Sequence, residues 1–433
     1  MYSDLEKRTV NKVFWRLIPY STLLFVIAFI DRANVSFAAL QMNQDLKFSP
    51  AVYGFGAGIF FIGYAFFEVP SNLVLARVGA RRWIARIMIT WGIVAAAMAF
   101  VYDEWSFYIL RFLLGVAEAG FLPGMIYYFG NWIPRNERAK MLGVFLSGVA
   151  IGSIVGGPLA GALLSLDGLF GLRGWQVLFI AEGMPAVLIG FLTIYFLTEK
   201  PQDAKWLTAE EKGALINLLE KEDAELHGQR SSSFTEVFFN ASVWKLIGFV
   251  FFMSCANYGI VLWLPQIIKQ FSSLSSAQIG LLAALPFIIA TAFMIYWGRH
   301  SDLANERKWH LVSAVSLGGI GLAASAIAPT ALLQFVGVCI GAVGLYGTFG
   351  VFWAMPSDYL KGVAAASGLA FINSIGITGG FFGPYIVGFV RGQTESFSAA
   401  LLVLACCAGI AALFGASLRK ARTESEVRIQ PAT

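Results

Sequence analysis

Asn72-Leu-Val-Leu-Ala-Arg-Val-Gly-Ala-Arg-Arg82 and Gly298-Arg-His-Ser-Asp-Leu-Ala-Asn-Glu-Arg-Lys308 are two short basic segments set between long apolar runs. Reading outward from them, the chain resolves into runs that each approach the ~20 mainly apolar residues a bilayer-spanning helix needs. Twelve are expected, at residues 14–37, 51–76, 83–102, 106–131, 139–163, 175–197, 243–268, 277–299, 309–328, 331–355, 363–390 and 396–418. The two basic segments then follow the second and the eighth run, the same place in each half. Irregular backbone cannot face lipid, so runs of this length read as helices. Composition agrees: 58% of residues are hydrophobic and 13% charged, with 38 Phe, against roughly 25% charged in a soluble domain.

The loops set an orientation. Lys7, Arg8, Lys12 and Arg16 precede the first run, Arg77, Arg81, Arg82 and Arg86 follow the second, and Arg135, Arg138 and Lys140 follow the fourth. Arg299, Arg307 and Lys308 follow the eighth, and Arg419, Lys420, Arg422 and Arg428 sit after the last. The alternate loops carry Lys47, Arg173, Lys269 and Arg391. The positive-inside rule therefore predicts both termini in the cytoplasm of a multi-pass inner-membrane protein.

One long polar segment, residues 198–242, divides six runs from six. Within Leu207–Leu226, Leu215, Leu218, Leu219, Glu222 and Leu226 share helical spacing, which predicts an amphipathic surface helix. The halves echo each other in glycine as well. The fifth run carries Gly152, Gly156, Gly157, Pro158 and Gly161; the eleventh carries Gly376, Gly379, Gly380, Gly383 and Pro384. Small residues so spaced let helices approach and kink. The expectation is an all-α membrane protein of two parallel six-helix bundles, residues 1–197 and 243–433, joined by a cytoplasmic linker at 198–242. Repeated halves with glycine-broken helices at matching places point to an alternating-access transporter.

Other classes fit poorly. The net charge of +5 comes from residues beside helix ends, so no nucleic-acid partner is expected. Cys255, Cys339, Cys406 and Cys407 all lie in apolar runs, as small buried hydrophobes would. His227, His300 and His310 fall in or beside loops, so no intramembrane metal cluster is expected. No nucleophile–base pair and no phosphate-binding glycine loop is evident, so neither an enzyme nor an ATP-driven pump is expected. The mixed-charge start from Met1 to Arg16 predicts no cleaved leader, and the short tail argues against a membrane sensor. A monomer is expected.

Several stretches carry a resemblance. Gly298, Asp302 and Arg307 match the loop pattern of the major facilitator superfamily, while Asn72 and Ala76 depart from it in the first copy. Phe29-Ile-Asp31-Arg32-Ala-Asn34-Val-Ser-Phe-Ala, Val69-Pro70-Ser71-Asn72 and Arg111-Phe-Leu-Leu-Gly-Val-Ala-Glu118-Ala-Gly-Phe-Leu-Pro123 resemble the anion:cation symporter branch of that superfamily. Gly79-Ala-Arg-Arg-Trp-Ile84 and Gly174-Trp-Gln-Val-Leu-Phe-Ile-Ala-Glu-Gly183 are most similar to its tartrate and hydroxyphenylacetate permeases. The resemblance implies uptake of a small organic carboxylate with protons, powered by the proton gradient and needing no cofactor. An uncoupled facilitator or exchanger, and a sugar-acid symporter, stay open as alternatives.

The residues themselves make a physical case. A charge at mid-bilayer costs at least about 2.5–3.5 kcal/mol, so such side chains are rare unless they face a cavity or a partner. The candidates are Asp31, Arg32, Glu68, Arg111, Glu118 and Glu182. Arg111 and Glu118 lie on one face of the fourth helix about two turns apart, roughly 10.5 Å, too far to pair. Asp31 and Arg32 diverge by about 100° on the first helix. Arginine offers a planar fork that matches a carboxylate, and carboxyl groups can load protons. Arg32 and Arg111 are therefore expected to hold the anion, and Asp31 and Glu118 to couple protons. Fixed structural pairing is the bland alternative for all four. Glu68 reads as a gating or packing residue at least as readily as a proton site, and Glu182 as a structural acid paired with a loop arginine.

Neutral polar and aromatic groups should complete the site from the other half. Asn373 lies on the eleventh helix, Trp353 on the tenth, and Asn257, Tyr258 and Trp263 on the seventh. The resemblance implies that Tyr64, Trp353 and Asn373 line the substrate cavity, and Tyr258 is expected beside them. An amide in a bilayer helix needs partners, which makes Asn373 the hardest of these to read as packing.

Overall fold

The computed structural model describes residues 2–226, 238–270, 272–353, 355 and 363–418. His227 and the basic tail residues Arg419, Lys420, Arg422 and Arg428 lie outside them. Twelve helices are long and apolar enough to cross a membrane. They are Asp4–Asp45, Pro50–Val78, Ala80–Phe100, Glu104–Gly130, Arg135–Leu164 and Gly174–Phe196, then Ala241–Gln270, Ser276–Leu303, Lys308–Ile327, Ala331–Phe352, Gly368–Thr394 and Phe397–Ala416. The first overshoots its apolar run at both ends because hydropathy marks only the lipid-facing length. Helical hydrogen bonding continues until a cap ends it: Ser3 and Glu6 form a reciprocal capping box at its start. Ser49 with Pro50, Asp103 with Ser106, and Ser275 with Gln278 start the second, fourth and eighth helices in related ways.

Two spans are broken. The fourth consists of Glu104–Glu118 and Phe121–Gly130, interrupted where Gly120 takes a left-handed φ of 88°. A side chain there would be strained and would run into Ser71. The eleventh consists of Val363–Gly376 and Gly379–Thr394. Its break falls among the glycines singled out in the sequence.

Packing within each half follows one scheme. The first helix packs on the fifth and sixth, the second on the fourth, and the third on the sixth. In step, the seventh packs on the eleventh and twelfth, the eighth on the tenth, and the ninth on the twelfth. Contacts between halves are reciprocal too: second on eleventh, and fifth on eighth. This is two six-helix bundles related by a pseudo-two-fold axis.

Odd-numbered helices run away from the N-terminal face and even-numbered ones back to it. On the far face the halves meet backbone to backbone. A Cβ on Gly157 would sit 2.6 Å from the carbonyl oxygen of Gly280, and one on Gly161 2.8 Å from that of Ser276. Tyr53 donates to the carbonyl of Leu262 (2.6 Å), and Trp263 to that of Pro384 within its own half (3.1 Å).

The polar segment between the halves carries the helix Ala209–Leu226, close to the amphipathic stretch expected. It lies against the first bundle. Lys12 pairs with Glu211 (2.8 Å), Glu222 accepts from the Arg135 backbone N–H that opens the fifth helix (3.0 Å), and Trp206 stacks on Trp132 at 5.5 Å. Glu199, at the start of this segment, accepts the first free N–H groups of the third helix at Ala80 (2.7 Å) and Arg81 (3.0 Å), where an anion is favoured.

Candidate functional site

The acids and bases of the first and fourth helices assemble inside the first bundle, but in two separate groups. Arg32 projects toward the fourth helix and forms an ion pair with Glu118. Phe29, Phe60 and Tyr64 surround its guanidinium, with ring centroids 5.5, 5.3 and 5.4 Å away. The Arg32 side chain keeps 12% of its surface exposed and Glu118 3%. The rings around this charge pair are largely apolar, which leaves the guanidinium as the charged group an arriving anion meets there.

Asp31, one residue earlier, points the other way. It accepts from the indole N–H of Trp91 on the third helix and from the amide of Asn34 (2.7 Å). The divergence of about 100° expected of adjacent helical residues thus turns Asp31 toward the third helix and Arg32 toward Glu118 on the fourth. Arg111 is fully buried and donates to the backbone carbonyls of Gly56 (3.4 Å) and Ala57 (3.0 Å) on the second helix. Its Nη1 has no partner among the described residues, and both it and Arg32 lie near the ring of Phe60, with the Arg111 guanidinium 5.1 Å from the ring centroid.

Glu182 is buried, and among the described residues neither carboxylate oxygen has a partner in hydrogen-bonding geometry. The expected loop-arginine partner is absent among the described residues; Arg173 pairs with Asp45 and Asp167 instead. The reason is geometric. Arg173 stands at the start of the sixth helix, and Glu182 lies more than two turns further in.

The second half contributes neutral groups. Asn373 Nδ2 donates to Glu68 (3.0 Å) across the interface between the halves, and the hydroxyl of Ser374 donates to the same carboxylate (2.7 Å). Tyr64 lies one turn before Glu68 and is buried. Tyr258 on the seventh helix is half-buried, its ring 4.2 Å from that of Phe61. Arg32, Glu118, Tyr64, Glu68, Tyr258 and Asn373 therefore gather where the first, second, fourth, seventh and eleventh helices meet. Trp353 stands apart at the end of the tenth helix, 37% exposed and packed edge-on against Phe352. The buried Asn257 has an unpartnered Oδ1.

Three participants were not singled out from the sequence. Asn34 sits three residues after Asp31, the spacing that brings two helical side chains together. Ser374 adjoins Asn373, and a second polar residue in an apolar run was its available signal. Trp91 had none, because an indole in a membrane helix reads as ordinary apolar content.

The comparisons agree with this architecture. The family model of the Major Facilitator Superfamily matches residues 21–384, and the chain belongs to that superfamily: it is a membrane transporter and not an enzyme. A candidate tartrate transporter of Agrobacterium vitis is 47% identical over 403 residues, spanning 93% of this chain and 89% of that protein. A quinolone resistance transporter of Acinetobacter baumannii is 41% identical over 412 residues, 95% of this chain and 94% of that one. The crystal structure of a bacterial homologue of the human lysosomal transporter Spinster, inward-facing and occupied, superimposes with a TM-score of 0.77 at 17% identity. It covers 96% of this chain and 98% of that one, a likeness of fold.

Proposed function

We propose that the chain takes up a small organic carboxylate, such as tartrate, together with protons by alternating access. It would work as a monomer in the bacterial inner membrane with both termini in the cytoplasm. Residues 1–197 and 243–433 act as the two moving bundles and 198–242 as the cytoplasmic linker. The proton gradient supplies the energy and no cofactor takes part. The observation that carries this reading is the Arg32–Glu118 ion pair, sleeved by Phe29, Phe60 and Tyr64 at the meeting of the halves. The kinship with a candidate tartrate transporter supports the choice of cargo.

The pair is a charge-assisted contact through one guanidinium nitrogen, Nη2, and a substrate carboxylate can take that place and engage the planar fork of the guanidinium. An arriving anion competes with Glu118 for Arg32. A buried carboxylate that loses its partner is costly to keep ionised, so proton uptake accompanies anion binding. By linkage each then favours the other equally. Asp31, adjacent to Arg32 on the same helix, is the second acid of this coupling group. Arg111, with its free Nη1, is the second anion donor once the helices move. Tyr64, Tyr258, Trp353 and Asn373 shape the remainder of the substrate site.

The test is substrate-driven alkalinisation in proteoliposomes. Adding L-tartrate outside vesicles of the unaltered protein should move protons inward with the anion. Asp31→Asn or Glu118→Gln should retain tartrate exchange in at least one case, yet lose accumulation driven by an imposed pH gradient. Tartrate entry without proton movement in the unaltered protein would establish an uncoupled facilitator instead.

A further inference from the structure

Glu68, like Glu182, is an acid that this mechanism leaves without a task, and it is the one at the interface between the halves. It is 4% exposed, in the second helix, and its partners belong to the other half of the molecule. The amide of Asn373 spans both its oxygens, at 3.0 and 3.4 Å, and the Ser374 hydroxyl adds a third contact at 2.7 Å. Both donors are neutral. They come from neighbouring residues of one helix, just before it breaks at Gly376. Convergent neutral donors around two oxygens recognise a carboxylate as a chemical group, and any other carboxylate of suitable reach would satisfy them equally.

A second carboxylate seat lies close by. Tyr64 precedes Glu68 by one helical turn, about 6 Å of rise, and its ring contacts the Arg32 guanidinium at 5.4 Å. The protein's own side chains fill both seats: Glu118 on Arg32, and Glu68 on Asn373 and Ser374. The Glu68 contact also joins the bundles between Tyr64 and the N-terminal face of the molecule, so that face cannot open while it holds.

We propose that Glu68 is an internal stand-in for the second carboxylate of a dicarboxylate cargo. This rests on the transport of an organic carboxylate proposed above, and narrows it. Glu68 keeps the Asn373–Ser374 seat filled and the bundles latched. A dicarboxylate bridging Arg32 and that seat displaces Glu118 and Glu68 together, and the freed Glu68 meets water as the N-terminal face opens. A monocarboxylate reaches Arg32 but leaves the latch shut. The latch therefore selects dicarboxylates and ties opening to their arrival.

The experiment pairs two ligands with one distance. L-Threonate is L-tartrate with one carboxylate replaced by a hydroxymethyl group. Spin labels on Asn131→Cys and Ala304→Cys, exposed sites on the N-terminal faces of the two halves, report opening once Cys339 and Cys406 are replaced by alanine. Glu68→Ala should lengthen the label distance without ligand. It should tighten L-tartrate binding about tenfold, because a competing occupant is gone, and leave L-threonate within twofold. Ser374→Ala, which retains Glu68, should weaken L-tartrate about tenfold and spare L-threonate. Unchanged distances in Glu68→Ala, or equal effects on the two ligands, overturn the proposal even where tartrate binds. Unaltered protein that binds no tartrate instead overturns the cargo reading beneath it.

Discussion

The two halves share one packing scheme and differ in what they bury. Asp31, Glu68, Arg111, Glu118 and Glu182, all in the first half, are the buried charged side chains among the described residues. The second half buries Ser254, Asn257, Gln266, Ser301, Ser325 and Thr348, none of them charged. A symmetric scaffold thus carries an asymmetric chemistry. One bundle holds the ions in place, and the other offers neutral donors and aromatic rings that can let go. Neutral donors can let go without becoming stranded charges themselves, which suits the half across which an interface has to open.

The largest expected effect comes from breaking that asymmetry at its centre. Arg32→Ala leaves Glu118 buried with no counter-ion, so the purified protein should lose about 3–5 kcal/mol of stability and all uptake. The double variant Arg32→Met with Glu118→Met should recover most of the melting temperature and none of the transport. Thermal melts and uptake on the three proteins separate the two effects. Equal losses in single and double variants would mean that the pair does not act as a unit.

A smaller effect should follow where the halves meet without polar contacts. Gly157→Leu drives a side chain into the Gly280 backbone and toward Phe37. Overpacking of this kind costs about 1–3 kcal/mol, charged here against the closed far face. Uptake should fall roughly tenfold or more, while a far-face label pair moves apart. Wild-type uptake would show that the far face does not need this close approach.

The smallest effect belongs to the neutral half. Asn257→Leu removes an amide whose Oδ1 already lacks a partner. Replacing such a group is nearly neutral, so stability should change by less than about 1 kcal/mol. A loss as large as that of Arg32→Ala would erase the distinction between the halves.

How much was legible varied with the reach of the interaction. Twelve spans, their duplication and the surface helix near Leu215 were readable, because lipid and water act on each segment on its own. The break at Gly120 was less so: the sequence offered a glycine, but the left-handed turn depends on the second helix and Ser71 closing in. Arg111 and Glu118 were correctly judged too distant to pair. Their actual partners, the Ala57 carbonyl and Arg32, could not be read from spacing along one helix.

By itself, then, the sequence determined the membrane class, the two six-helix halves and the short roster of charged residues that lipid makes costly. Each follows from transfer energies and helical periodicity, which are local. Tertiary structure alone decided that Asp31 and Arg32 serve different neighbours, that Glu182 has no charged partner among the described residues, and that Glu68 reaches Asn373 and Ser374 across the interface. These outcomes depend on the rotation and register of one helix against another. Those are set by packing summed over many side chains, and no single segment encodes them.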